Sequence, residues 1–446
     1  MWQGESAQSL GLDVDTGAGD AYINPDYGQN VCAAAGVHVR APAGVRAARR
    51  GTSREINRQI ALSLIRMRQP ISRADLARLM GTGRGAVTGL VNHLIAEGRV
   101  FEGATGEAPR GRKPTFLYLD SRQRCVVAVD LRPTRSSLML TDIVGEPLVG
   151  MTSFPTERDP ERLVVELAAR IREVLDRHPE TGRCEGVGVV VPGMVDRTGT
   201  RVMFAPRLGW HDVAFQEPLS ALVGLPVVIE NSGKACALAQ AWSVRGDSAV
   251  AGDLVFLSVS DGLGVGVVTN GQLLRGQHNA GGEFGHIPLA LEGPRCACGA
   301  FGCWEALVSN LATVSRYLGR ELDPGRPIPP EVAALNVEDV ISRARQGDAL
   351  ADAALRATAR HLGAGLAAVV NAVDPAHIYV SGEITSDWDR LGPVVRAALD
   401  ERTLEPSRGY ADIVVVPPHT LPRLRGAAAL VTTPAYAAPV VARQVP

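Results

Sequence analysis

The chain has 446 residues, 46% of them hydrophobic and 21% charged, with a net charge of −1. That is long enough for two or three domains with large cores, and too apolar and too weakly charged for a polyelectrolyte or a disordered protein. No run of about eighteen apolar residues marks a membrane span, no basic stretch followed by an apolar core marks a secretion signal, and no paired cysteine spacing marks a disulfide framework. A reducing, cytoplasmic location is therefore expected. The charge is unevenly placed: residues 46–113 carry fourteen Arg/Lys against five Asp/Glu, while residues 1–45 and 114–446 carry −4 and −6. A basic segment on an otherwise acidic chain is an electrostatic footprint for phosphate.

Residues 1–50 are rich in Gly, Ala and Asp without a sustained hydrophobic period, and read as a disordered arm. From Thr52 the character changes, and residues 51–118 read as a winged helix-turn-helix. Ser53 is expected to cap a helix with Ile56, Ile60, Leu62, Leu64 and Ile65 inward, ended by Pro70. Ser72 with Asp75 caps a second helix, a Gly-containing turn follows at 80–83, and a third helix runs from about Arg84 to Glu97. Val100-Phe101 and residues 115–118 supply wing strands. On the third helix Arg84, Thr88 and Asn92 lie four apart and share one face, as a major-groove reader requires. Arg84 suits guanine, Asn92 adenine, and Thr88 a phosphate or a thymine methyl. Gly83, Gly85 and Gly89 soften this helix, each by up to about 1 kcal/mol against Ala, so DNA is expected to order it. Behind the wing, Arg110, Arg112 and Lys113 stand between Pro109 and Pro114, an extended basic element suited to a narrow minor groove.

From Cys125 onward β-branched strands alternate with helices, as in α/β folds. Strands are expected at 126–130, 138–140, 186–191, 227–230, 254–260, 264–268, 377–380 and 413–416, with a long apolar helix at 349–373. The densest chemistry lies at 281–305. His286, Cys296, Cys298 and Cys303 form H-x9-C-x-C-x4-C, the ligand set of a closed, structural zinc site. Gly299 and Gly302 fall where a tight knuckle needs positive φ. Glu283 and Glu305 flank these ligands and would be held rigidly, either to accept hydrogen bonds from sugar hydroxyls or to brace the zinc ligands.

The E-x-G-H element at 283–286, followed by C-x-C-G-x-x-G-C-x-E at 296–305, resembles the ROK family of sugar kinases and sugar-responsive repressors. The helix-turn-helix sequence 72–98 and the Gly-Arg-Lys-Pro element at 111–114 resemble the repressors of that family. The resemblance implies an actin-like (sugar kinase/hsp70) two-lobed domain over residues 119–432 with a zinc loop, leaving 433–446 as a loose tail. It places Asn231, Glu283, Glu305 and the Gly193 loop at hexose hydroxyls. It also exposes departures from the kinases. The phosphate turn reads Asp130-Leu131-Arg132-Pro133-Thr134 without its glycines, and Ser232 replaces the Asp that serves as general base. Loss of a general base alone costs about 10²–10⁴-fold. The expectation is a non-enzymatic, sugar-responsive regulator, commonly a repressor, that binds a double-stranded operator as a homodimer or homotetramer under control of a sugar or sugar phosphate. Its rivals are a kinase with an appended DNA-binding domain and a DNA-binding protein with a vestigial cleft.

Overall fold

The computed structural model describes residues 50–105, 115–121, 123–243, 253–324 and 326–436. The N-terminal arm, the Arg110, Arg112 and Lys113 element and residues 437–446 lie outside them. Of the unit Met1–Ser53, only the first residues of helix α1 are described; Arg54–Pro446 clusters as a second unit.

In α1 (Arg50–Arg68), Ala61, Leu62 and Ile65 are buried on one face. Ser53 lies inside this helix instead of capping it, because the helix already runs at Arg50. Strand β1 (Ile71–Ser72) is a short addition that the sequence pattern hides inside the helix start. Ser72 then caps α2 (Arg73–Leu79): its hydroxyl accepts from the Asp75 N–H at 3.1 Å and donates to the Asp75 carboxylate at 2.7 Å. In α3 (Arg84–Ala96), Val87, Val91 and Leu94 are buried, with Leu90 and Ile95 partly so. Strands β2 (Val100–Thr105) and β3 (Thr115–Leu119) complete an antiparallel sheet of order β1-β3-β2.

Two five-stranded sheets follow. The first contains β4 (Arg124–Asp130), β5 (Arg135–Asp142) and β6 (Thr152–Pro155); helix α4 (Pro160–Arg177) then leads to β7 (Arg183–Val191). A separate small sheet of β8 (Met194–Val195), β9 (Arg201–Ala205) and β10 (Trp210–Ala214) intervenes. Then come α5 (Gln216–Val223), β11 (Val227–Asn231) and α6 (Ser232–Ser243). The second large sheet contains β12 (Leu254–Val259), β13 (Leu263–Thr269) and β14 (Gln272–Leu273). After the cysteine loop come α7 (Trp304–Val308), α8 (Asn310–Tyr317), α9 (Pro330–Ala333), α10 (Val337–Arg345) and α11 (Ala349–Val373). Strand β15 (His377–Gly382), α12 (Trp388–Arg402), β16 (Asp412–Val416) and α13 (Pro422–Tyr436) close the chain, so the tail expected from Thr433 begins as helix.

The sheet orders are β11-β7-β4-β5-β6 and β14-β13-β12-β15-β16. In each, the first three strands form an antiparallel meander and two later strands add in parallel beside the first. The two lobes are therefore topological duplicates. Their central strands are apolar on both faces because both faces are covered. Val127, Val129, Val187 and Val189 pack with α4 and α5, whereas Val126, Ala128 and Val190 pack with α13. In the second lobe, Val255, Leu257 and Val380 pack with α10 to α12, and Leu254, Phe256 and Val268 pack with Cys236 and Ala237 of α6.

Helix α6 thus leaves the first lobe, lies on the second lobe's sheet, and meets the winged helix at its far end. There the Arg66 guanidinium of α1 sits 3.8 Å over the Trp242 ring and also donates to the Trp242 carbonyl. The first lobe provides another seat: Ile143 and Val144 join the winged-helix core, and Arg124 donates to the carbonyls of Glu97 at 2.6 Å and Gly98 at 3.3 Å.

Candidate functional site

The knuckle forms because Gly299 and Gly302 take φ values of 98° and 65°, as the sequence requires. This brings His286, Cys296, Cys298 and Cys303 together, with all ligand atoms within 4.8 Å of one another. Cys298 Sγ and Cys303 Sγ lie 3.7 Å apart, and Cys296 Sγ lies 3.7 Å from His286 Nδ1. Tetrahedral thiolates on zinc would stand about 3.8 Å apart at ordinary Zn–S lengths. The four residues could hold a metal ion. Burial pushes the Cys303 thiol up to about 11 and Cys296 further in the same direction, so a bound cation is what would ionise both.

The same loop delivers Glu283 and Glu305 to a cavity of about 320 Å³ between the lobes, shared with Gly193, Asn231 and Ser232. Glu305 is nearly buried, with its Oε2 accepting from the Leu263 N–H at 2.9 Å. Burial pushes the Glu283 carboxyl up, against the pull of the Lys234 ammonium 3.7 Å away. Lys234 is fully buried; it donates to the Asn279 carbonyl, and burial lowers its pKa. The lysine stands in the sequence beside Ser232, but nothing local reveals that its partners are Glu283 and Asn279, far along the chain. Asn231 is already engaged. Its Oδ1 accepts from the Gly233 and Lys234 N–H groups at 2.8 and 3.2 Å, and its Nδ2 donates to the Gly193 carbonyl at 2.9 Å. It starts α6 and ties that start to the Gly193 loop, with one amide hydrogen left for a ligand.

The other end of the cavity is closed by the chain's own charges. Arg132 donates to Asp130 at 2.9 Å and to Ser260 Oγ at 3.5 Å, and pairs with Glu383 at 3.8 Å, so it spans the two lobes. Arg423 holds the other side of Asp130 at 2.7 Å. Gly264 and Gly266 of β13 have a packing role. A Cβ on Gly266 would lie 2.2 Å from the Gly233 carbonyl oxygen, so the pair lets α6 lie directly on β13.

On the winged helix, Arg84, Thr88 and Asn92 are all exposed on α3. Thr88 turns its hydroxyl to the Arg84 carbonyl at 2.8 Å. Asn92 Oδ1 accepts from Arg73 at 2.8 Å, and Arg73 also pairs with Glu102 on β2. Bidentate pairing of Asn92 with adenine would need that oxygen, and Arg73 would then have to release it.

The comparisons with known proteins agree with this architecture. The ROK family profile matches residues 126–433. The xylose repressor of Bacillus spizizenii is 27% identical over 350 residues, covering 78% of this chain and 88% of its own. The DNA-binding transcriptional dual regulator NagC of Escherichia coli is 25% identical over 362 residues, covering 81% and 88%. Among solved structures, a ROK family transcriptional regulator, a homolog of the E. coli MLC protein, superposes with a TM-score of 0.71 at 27% identity, covering 86% of this chain and 97% of that one. A ROK family glucokinase from Streptomyces griseus, in complex with glucose and AMPPNP, gives 0.57 at 26% identity and covers 69% of this chain. The family profile spans more than half of the chain, and the chain belongs to the ROK family.

Proposed function

We propose that the protein is a sugar-responsive transcriptional repressor without kinase activity. One observation carries the reading: the cavity that gathers Glu283 and Glu305 lies at the start of α6, and the end of α6 supports the winged helix. A sugar that draws the lobes together would tilt α6 relative to the first lobe. The winged helix rests on both, so its angle to DNA would change. The ligand must prefer one lobe arrangement for this to work. Arg84, Thr88 and Asn92 face the major groove, with Arg110, Arg112 and Lys113 in an adjoining narrow minor groove, and two copies read an inverted repeat.

The metal ligands fit zinc, which would cross-link the loop and hold Glu283 and Glu305 at the cavity wall; with four protein ligands it has no position left for catalysis. Phosphoryl transfer is disfavoured because Ser232 is no base and the Arg132 ion pairs occupy the turn that would receive phosphate. In vitro selection with the full chain should yield a palindromic operator, released on adding one sugar. Equal operator affinity with every sugar would leave only a DNA-binding protein with an idle cleft. ATP consumption dependent on a hexose would restore the kinase.

A further inference from the structure

Within the cavity, one cation has spare bonding capacity. Arg207 sits at the tip of the β9–β10 hairpin, between Glu305 and the 260–264 loop: a Cβ on Gly262 would meet Glu305 Oε2 at 2.6 Å and Arg207 Nε at 3.8 Å. A guanidinium has five N–H donors. Among the described residues, the polar contact of Arg207 is one long approach, Nη2 to Glu305 Oε1 at 3.5 Å, and its buried Nε makes no hydrogen bond. Glu305 already takes the Leu263 N–H, so it does not depend on Arg207 for a hydrogen bond. The other two guanidinium groups of the cavity, Arg132 and Arg423, are spent on Asp130, and Asp261 lies in the field of Arg132.

We infer that the effector is a sugar bearing an anionic group, a carboxylate or a phosphate, and that Arg207 is the residue that reads it. This rests on the sugar-sensor reading above and narrows its ligand class. A neutral hydroxyl could accept one hydrogen bond from Arg207. An oxyanion accepts two in parallel from the Nη1–Nη2 edge and makes the stronger, charge-assisted bond.

The test is calorimetric titration of the full chain with matched sets: neutral aldoses, their uronates, and their terminal phosphates. One anionic member should bind at least about tenfold tighter than its neutral parent, the ratio expected of one charge-assisted hydrogen bond. The uronate and phosphate arms separate the two sources of negative charge. Arg207→Gln should bring the pair level, and Arg207→Lys should retain part of the preference. Because the wild-type ratio stands without any variant, misfolding of Arg207→Gln would not rescue the idea. Equal or tighter binding of the neutral parent overturns it while leaving the sugar sensor intact, as does an anionic preference that survives Arg207→Gln. Binding of no sugar in any arm removes the sugar sensor and this inference together.

Discussion

Arg84 is exposed at the start of α3, so on the proposed reading its truncation should report mainly base contact. Arg84→Ala is expected to weaken a selected operator by about 1–3 kcal/mol and to relax specificity at one base position, measured by anisotropy titration against operator variants. Asp196 offers a different single-residue test. Burial pushes its carboxyl up, but hydrogen bonds from Thr198, Arg201 and Thr200 outweigh this and hold it down to about 2. A depressed carboxylate stabilises the fold above its unfolded pKa near 3.8 and loses that contribution as pH falls through its folded value. Asp196→Asn should thus cost no more than about 1–2 kcal/mol at pH 7, given partial screening by solvent. The gap to wild type should narrow in denaturant melts as pH drops toward 2. At this scale the cluster of His286, Cys296, Cys298 and Cys303, which could hold a metal ion, was legible in sequence because the four lie within one loop and their spacing is itself the signal. Arg207 and Lys234 were not, because their meaning lies in Glu305 and Asn279, which only the fold brings near.

Among elements, α6 has the most unusual position, shared by both lobes and the winged helix. Trp242→Leu keeps an apolar body under α1 but removes the ring beneath Arg66, a contact worth about 0.5–2 kcal/mol. Sugar binding to the cavity, read by thermal shift, should persist. The ratio of operator affinities with and without sugar should fall toward one. A full sugar response in this variant would mean that the signal travels through Arg124 and the first lobe instead. The central strands could be read from sequence because coverage on both faces makes them continuous apolar runs, as in β4 and β12, and α11 was legible at both ends. Strands β6, β9 and β10 were missed for the opposite reason: they are short, half-exposed and mixed in polarity. Strand β1 is two residues long and owes its existence to its partner β3.

For the molecule as a whole, the cysteine loop ties the cavity to the second lobe. On the reading that the loop holds zinc, chelation should lower the melting temperature by several degrees and abolish the shift caused by sugar, with metal content followed by elemental analysis. Unchanged melting after complete metal loss would mean the knuckle holds by packing alone. The duplicated topology carries a further consequence. The β4–β5 turn and the β12–β13 turn are equivalent hairpins, one from each lobe, and they face each other across the cleft. One presents Arg132 and the other Ser260 and Asp261, with Glu383 beyond. The protein therefore brings its own counter-ion to a place where two matched turns could grip a foreign anion. Salt should weaken the Arg132 contacts across the cleft: scattering should show a larger radius of gyration at 1 M than at 0.1 M salt, where the screening length shortens from about 10 to about 3 Å. Arg132→Gly should be wide at both, as a hinge that has lost its latch.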